Sequence, residues 1–219
     1  MNKINVVTID GPSASGKGEL AKSIAHQFNF KLLDSGILYR LFAYFFNLKL
    51  SNEEIASKIN NDISFELKED NFKILNQSDD ITNYLRSEDI AKVASMLSSQ
   101  KEVRESLFQI QRNFYDKKGL VADGRDMGTV VFKDAKLKIF LTASPEVRAK
   151  RRYLELQNRG QEVNMPALIA DIKERDLKDS SRELSPLLPA DEAHIIDSSD
   201  MSLEEVFSIT KNLVKKEFI

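Results

Sequence analysis

A chain of 219 residues with 42% hydrophobic content has room for one domain with embellishments, and two full domains are not expected. Its 32 Lys and Arg against 34 Asp and Glu leave a net charge of −2, so no overall field draws nucleic acid or an anionic membrane, and any basic site must be local. The absence of cysteine excludes disulfides and thiolate metal centres and suits a reducing cytoplasm.

The chain opens with an apolar run from Ile4 to Ile9, followed by GPSASGKG and an amphipathic stretch starting Glu19-Leu20-Ala21. This reads as strand, loop and helix. Such a loop turns backbone N–H groups inward around a space the size of a phosphate, and Lys17 adds a positive charge. Gly11, Pro12, Ser13, Ala14, Ser15, Gly16, Lys17 and Gly18 are therefore the candidate phosphate-binding residues. An ordinary glycine turn is the plainer reading, but both flanks carry the context a phosphate loop needs. Gly18 and Glu19 stand where a hydroxyl that touches Mg²⁺ is usual, so the metal ligands are left unknown. The amino terminus shows no cleavage-site pattern, which predicts no signal peptide.

Phe30 to Leu33 reads as a second strand, and DSGILYR after it places Ser35 and Arg40 near a helix start, where they can hold a second anion. A capping serine with a surface arginine is the competing reading. The run Leu41 to Phe46 is too short to span a bilayer and reads as a buried helix. Ser51 with Glu54 matches a capping box. From about Asp62 to Asn83 the pattern alternates, with a turn around Asp70-Asn71, predicting a β-hairpin insertion.

Leu120 to Ala122 and Leu137 to Leu141 read as further buried parallel strands. The first is followed by Asp123-Gly124-Arg125-Asp126, where Asp123 is the candidate to reach a metal through water, and Arg125 with Asp126 is a candidate ion pair. Ser144-Pro145 starts a helix that Gly160 stops. Within it, helical spacing puts Arg148, Arg152, Glu155 and Arg159 on one face, and Arg175, Asp179 and Arg182 share another. Each run alone is compatible with a solvated helix face. His194 to Ile196 is expected as a fifth buried strand, and Ser202 with Glu205 as another capping box. The two histidines, His26 and His194, have no ligand pattern around them, so neither zinc nor a Ser-His-Asp triad is expected and both read as surface or packing residues.

Strands alternating with helices predict an α/β protein, its five-stranded parallel sheet covered on both faces and its ligands at the carboxyl ends of the strands. Four of the five strand ends open with aspartate. Many guanidiniums and no histidine base fit phosphoryl transfer, which needs positioning and charge stabilisation by Lys, Arg and Mg²⁺. A phosphate monoester acceptor is mostly dianionic at neutral pH and needs no general base.

The segments IDGPSASGKG, LLDSGILYR, ADGRDMGTVVF, KIFLTAS, RAKRRYLELQNRG, IKERDLKDSSRELSPLLPA and IIDSS together resemble the bacterial cytidylate kinases, within the nucleoside monophosphate kinases. The resemblance runs essentially end to end. It implies a single kinase domain over 1–219, with a monophosphate-binding insertion at about 60–95 and an arginine-bearing lid at about 148–162. It implies ATP as donor, Mg²⁺, and CMP or dCMP as acceptor. Ser95, Arg104 and Asp126 would face the cytosine. Ser35, Arg40 and Arg125 would hold the acceptor phosphate. Asp179, with Arg175 and Arg182 nearby, would meet the sugar hydroxyls and phosphates; Asp123 belongs to the same substrate set. Lys17, Arg148, Arg152, Arg175 and Arg182 would act on the moving group. Glu19 replaces the family's usual threonine and is expected to turn outward. A kinase for UMP or AMP, and a nucleotide-binding switch without transfer, remain the alternatives. A cytoplasmic monomer, bound to neither nucleic acid nor membrane, completes the expectation.

Overall fold

The computed structural model describes residues 3–68, 71–158 and 160–218. In chain order the elements are β1 (Ile4–Asp10), α1 (Lys17–Phe28), β2 (Lys31–Asp34), α2 (Ser35–Asn47) and α3 (Asn52–Asn61). Then come β3 (Ile63–Lys68), β4 (Asn71–Asn76), β5 (Asp79–Asp80), α4 (Thr82–Leu85), α5 (Glu88–Leu97) and α6 (Lys101–Arg112). The chain continues through β6 (Leu120–Gly124), a five-residue π-turn (Met127–Val131), β7 (Ala135–Thr142), α7 (Pro145–Asn158), α8 (Met165–Ser180), β8 (His194–Asp197) and α9 (Leu203–Phe218). These elements form two compact units, residues 1–33 with 114–219, and residues 34–113.

The first unit is built on a five-stranded parallel sheet in the order β2-β6-β1-β7-β8. Asp10 of β1 lies beside Gly124 of β6 on one side and Phe140 of β7 on the other, and Thr142 of β7 lies beside Asp197 of β8. That register brings the carboxyl ends of the strands, and the loops after them, to one edge of the sheet. Side chains alternate across a strand, so Val7 and Ile9 enter a core with Leu20, Ile24, Val121, Ile139, Val206 and Val214. Thr8 and Asp10 point to the opposite face, where the π-turn packs against β1, β6 and β7.

The fifth strand departs from expectation. In β8 only Ile196 is buried, and Ile195 is exposed, because β8 is the edge of the sheet. Edge strands have a neighbour on one side only, so an apolar run there need not be covered.

The second unit packs α2 against α3, α5 and α6. Leu38, Leu41, Phe42 and Phe45 are buried in α2, whereas Phe46 is exposed, so the apolar run is a buried helix with one residue outside. The alternating segment forms the antiparallel ladder β3-β4, extended by β5 into three strands. Asp70 of the expected turn lies outside the described residues.

Local signals read from the sequence recur as hydrogen bonds. The Ser51 hydroxyl accepts from the Glu54 N–H while Glu54 accepts from the Ser51 N–H, and Ser202 with Glu205 repeats the pattern before α9. The Ser144 hydroxyl accepts from the Val147 N–H at the start of α7. Past the end of α7, Gly160 takes φ +73°, and its N–H meets the Gln157 carbonyl at 2.8 Å.

Candidate active site

The loop after β1 has the geometry of a phosphate cradle. A Cβ on Gly11 would come within 2.0 Å of the Leu141 carbonyl oxygen, so no side chain fits between β1 and β7 there. Gly16 caps α1 in the left-handed region at φ 96°, ψ 1°, and as a glycine it brings no side chain to cap the N–H groups of the first turn. Those N–H groups and the positive end of α1 face the loop. Lys17 is buried and its Nζ donates to the Pro12 carbonyl at 3.0 Å, holding the ammonium over the loop. The Ser15 hydroxyl is buried with no hydrogen-bond partner among the described residues, a polar atom a ligand can satisfy. Ala14 sits at φ 58° within the same loop.

Glu19 is turned outward, where it is exposed and its Oε1 accepts from Lys22 Nζ at 2.8 Å. It lies in the first turn of α1, a favourable place for a negative charge. The buried Asp123 carboxylate lies against Gly18, with Oδ2 3.4 Å from where a Cβ would be.

Two arginines of α7, Arg148 and Arg151, reach this loop. Arg148 is buried; its Nε donates to the Ala143 carbonyl at 2.8 Å and its Nη1 to the Ser13 carbonyl at 3.1 Å. The same guanidinium makes a two-pronged pair with Asp176 of α8, Nη1 to Oδ1 at 2.9 Å and Nη2 to Oδ2. Arg152 donates to Glu155 at 2.6 Å. Arg159, expected on the same face, lies outside the described residues. Arg151 donates to the Ser15 carbonyl at 2.9 Å, and to the Ser198 hydroxyl and carbonyl at 3.1 and 2.7 Å. Desolvation lowers its pKa from the usual guanidinium value.

Asp179 of α8 is buried, and burial opposes its ionisation. The Arg125 and Arg182 guanidiniums, the hydrogen bond from Arg125 and the charge of Arg175 outweigh that effect and hold its carboxyl below the usual range. Arg125 Nε donates to Asp179 Oδ2 at 3.0 Å, and Arg182 Nη2 donates to Oδ1. The expected Arg125–Asp126 ion pair is thus replaced by one across 54 residues of sequence, because the loop aims Arg125 at α8. Arg182 lies beyond the end of α8, so it reaches Asp179 from the following loop and not from a shared helical face.

Asp10, ahead of Gly11, accepts from the N–H groups of Met127 and Gly128 at 2.8 Å each. Burial pushes its pKa up to about 7 against the two hydrogen bonds; Asp126 raises it further and Lys17 opposes. Between about pH 4 and pH 7 the folded chain keeps a proton that the unfolded chain releases, so this group makes stability fall as pH rises through that window. The steepest contribution is about 1.4 kcal/mol per pH unit. Urea unfolding of wild type and Asp10→Asn at pH 5 and pH 7.5 checks it: the decline should be shallower in the variant, and equal declines would contradict the assignment.

In the second unit, Asp34 and not Ser35 caps α2, accepting from the Ile37 N–H at 3.1 Å. The buried Ser35 hydroxyl instead accepts from Gln111 Nε2 at 2.9 Å. The capping-serine reading is therefore replaced. Arg40 donates to the Leu85 carbonyl at 2.7 Å, tying α2 to α4. Arg104 donates to the Ser98 carbonyl at 2.9 Å and stands 5.9 Å from the Tyr39 ring centroid, while the Ser95 carbonyl accepts from the Ser98 hydroxyl. Ser95 and Arg104 are thus linked through Ser98. Both histidines are exposed.

A family profile described as Cytidylate kinase matches residues 7–216. The chain belongs to the cytidylate kinase family. It is 44% identical to a cytidylate kinase of Pseudomonas putida over 222 residues, covering 98% of this chain and 97% of that one. A cytidylate kinase of Pseudomonas paraeruginosa is 45% identical over 210 residues, covering 93% and 92%. The crystal structure of TT1252 from Thermus thermophilus superposes with a TM-score of 0.51 at 13% identity over the full length of both chains, a likeness of fold.

In this cytidylate kinase family member several site-adjacent residues had no legible role in the sequence. Asp10 was visible as one of the strand-end aspartates, but the partner it holds lies more than 100 residues away. Arg151 stood inside RAKRR yet off the face chosen by helical spacing. Asp176 and Gln111 carried no local signal at all.

Proposed function

We propose that the chain is an ATP-dependent kinase that transfers the γ-phosphoryl group of ATP in line to CMP or dCMP, giving CDP or dCDP and ADP. The observation that carries the reading is the family match over residues 7–216, in a chain whose phosphate loop has room only for backbone at Gly11. Lys17 and the backbone N–H groups of the loop from Gly11 to Gly18, Pro12 excepted, hold the donor phosphates. Ser35, Arg40 and Arg125 hold the acceptor phosphate, while Ser95, Arg104 and Asp126 meet the cytosine and Asp179 the sugar. Asp123 completes the acceptor set. The acceptor phosphate is mostly dianionic at neutral pH, so the protein supplies positioning and charge and not a base.

Arg148, Arg152, Arg175 and Arg182 clamp the moving group. Three of them are held meanwhile by Asp176, Glu155 and Asp179, so phosphate oxygens must compete with carboxylates already in place. Segments at about 60–95 and 148–162 serve as insertion and lid, the lid excluding water and so limiting ATP hydrolysis.

Mg²⁺ fits this site through the unpartnered Ser15 hydroxyl and the Asp123 carboxylate beside Gly18. When bound it neutralises charge on the donor phosphates. Among the described residues no group of three or more His, Asp or Glu is placed to hold a metal. No described helix is long and apolar enough to cross a membrane. The near-neutral charge and lack of cysteine support a cytoplasmic enzyme without a nucleic-acid partner.

Coupled ADP release with CMP, dCMP, UMP and AMP tests the reading. CMP and dCMP should outrun the other two in kcat/KM. Faster turnover of UMP or AMP defeats the choice of acceptor, and ATP binding with no acceptor-dependent ADP release would favour a non-catalytic module.

A further inference from the structure

We infer that Asp10 is a positioning residue for the acceptor: through the N–H groups of Met127 and Gly128 it fixes the loop bearing Arg125 and Asp126 to the strand that leads into the phosphate loop. The inference rests on the kinase reading above for the roles of Arg125 and Asp126.

The contact is built from both sides. Asp10 is only 4% exposed, and each of its oxygens takes one N–H at 2.8 Å. Met127 and Gly128 open the π-turn, in which the Asp126 carbonyl accepts from Val130 and Val131 and the Met127 carbonyl from Phe132. N–H groups that open a helical turn have no acceptor within it, so the carboxylate supplies what the turn lacks. Close approach is possible because residue 128 is glycine. A Cβ there would stand 2.9 Å from Thr8 Oγ1 and 3.3 Å from Asp10 Oδ2. The Thr8 hydroxyl is buried without a hydrogen-bond partner among the described residues, so on this face of β1 it is Asp10, and not Thr8, whose side chain bonds to the turn.

Two consequences separate this role from generic support. The main chain of Asp10 is held in ladders to Gly124 and Phe140, so changing its side chain leaves the course of β1 into Gly11 intact. The turn depends on the side chain. An asparagine at position 10 offers one acceptor and one donor, and the donor would oppose an N–H. The loop, with Arg125 and Asp126, must then shift while the phosphate loop stays.

Asp10→Asn should raise KM for CMP by roughly tenfold to a hundredfold, the scale of a small misplacement, and change KM for ATP by less than about twofold. Asp10→Glu, longer by a methylene in a space with no slack beside Gly128, should not restore the CMP constant. Equal rises in both constants, or an unchanged KM for CMP, overturn the inference. Hydrogen exchange on the wild-type chain without ligand keeps the test open if the variants do not fold. The Met127 and Gly128 amides should exchange at least ~100-fold more slowly than an open peptide, and exchange at open-loop rates overturns the inference. A wild-type chain that releases no ADP with CMP sinks the kinase reading instead, and the exchange result still decides whether the contact exists.

Discussion

Replacing Lys17 with alanine should lower kcat for CMP phosphorylation by about 10²–10³ while leaving KM for CMP within about twofold. The charge on the transferred group is greatest in the transition state, and Lys17 is the ammonium that the loop itself holds in place. Its hydrogen bond to the Pro12 carbonyl keeps it over the cradle before any ligand arrives, so little reorganisation is required during transfer. The substitution also has a structural cost, of which the charge-assisted bond to the Pro12 carbonyl is about 1.5–3 kcal/mol. Steady-state kinetics at saturating ATP, with unfolding curves on the same preparations, separate the two effects. A kcat within threefold of wild type, accompanied only by a higher KM for ATP, would mean that Lys17 binds ground state and transition state alike.

Gly11→Ala should destabilise the fold by about 3 kcal/mol or more and abolish ATP binding. The added methyl would sit 2.0 Å from the Leu141 carbonyl oxygen and 3.1 Å from its carbon, and both are backbone atoms of a central strand. No rotamer change relieves that overlap, so β1 and β7 would have to separate where the phosphate loop begins. Gly160→Ala is the control. Gly160 has nothing within 4 Å of a Cβ and only its left-handed φ of +73° to lose, a cost of about 1 kcal/mol. Urea midpoints for the two variants should therefore differ clearly. A Gly11→Ala midpoint as high as that of Gly160→Ala would refute the steric explanation.

The same contrast shows what could be read in advance. Glycine at position 11 was expected from the spacing of the loop, but the obstacle that requires it, the Leu141 carbonyl, is 130 residues away in sequence. Glu19 was expected to turn outward because a carboxylate beside phosphates is unfavourable, and it does so with Lys22 one helical turn on. The sequence suits Ser35 to a phosphate ligand or a cap; its neighbour Asp34 caps the helix, which leaves the Ser35 hydroxyl for Gln111. Either residue suits the cap position by type, so local chemistry alone did not decide between them.

By itself the sequence determined the alternation of strands and helices, the capping boxes, the phosphate loop with Lys17 and the family to which the chain belongs. All of these are encoded over a few neighbouring residues, in hydrophobic period, glycine spacing and capping chemistry. Only the tertiary structure decided which aspartate meets which arginine, which strand is exposed at the sheet's edge, and that Asp10 grips the turn behind Arg125 and Asp126. Those outcomes depend on register between strands far apart in the chain. An ion pair or a carboxylate–amide contact carries no periodic signature, and several partners of equal chemistry compete for each charge until packing selects one.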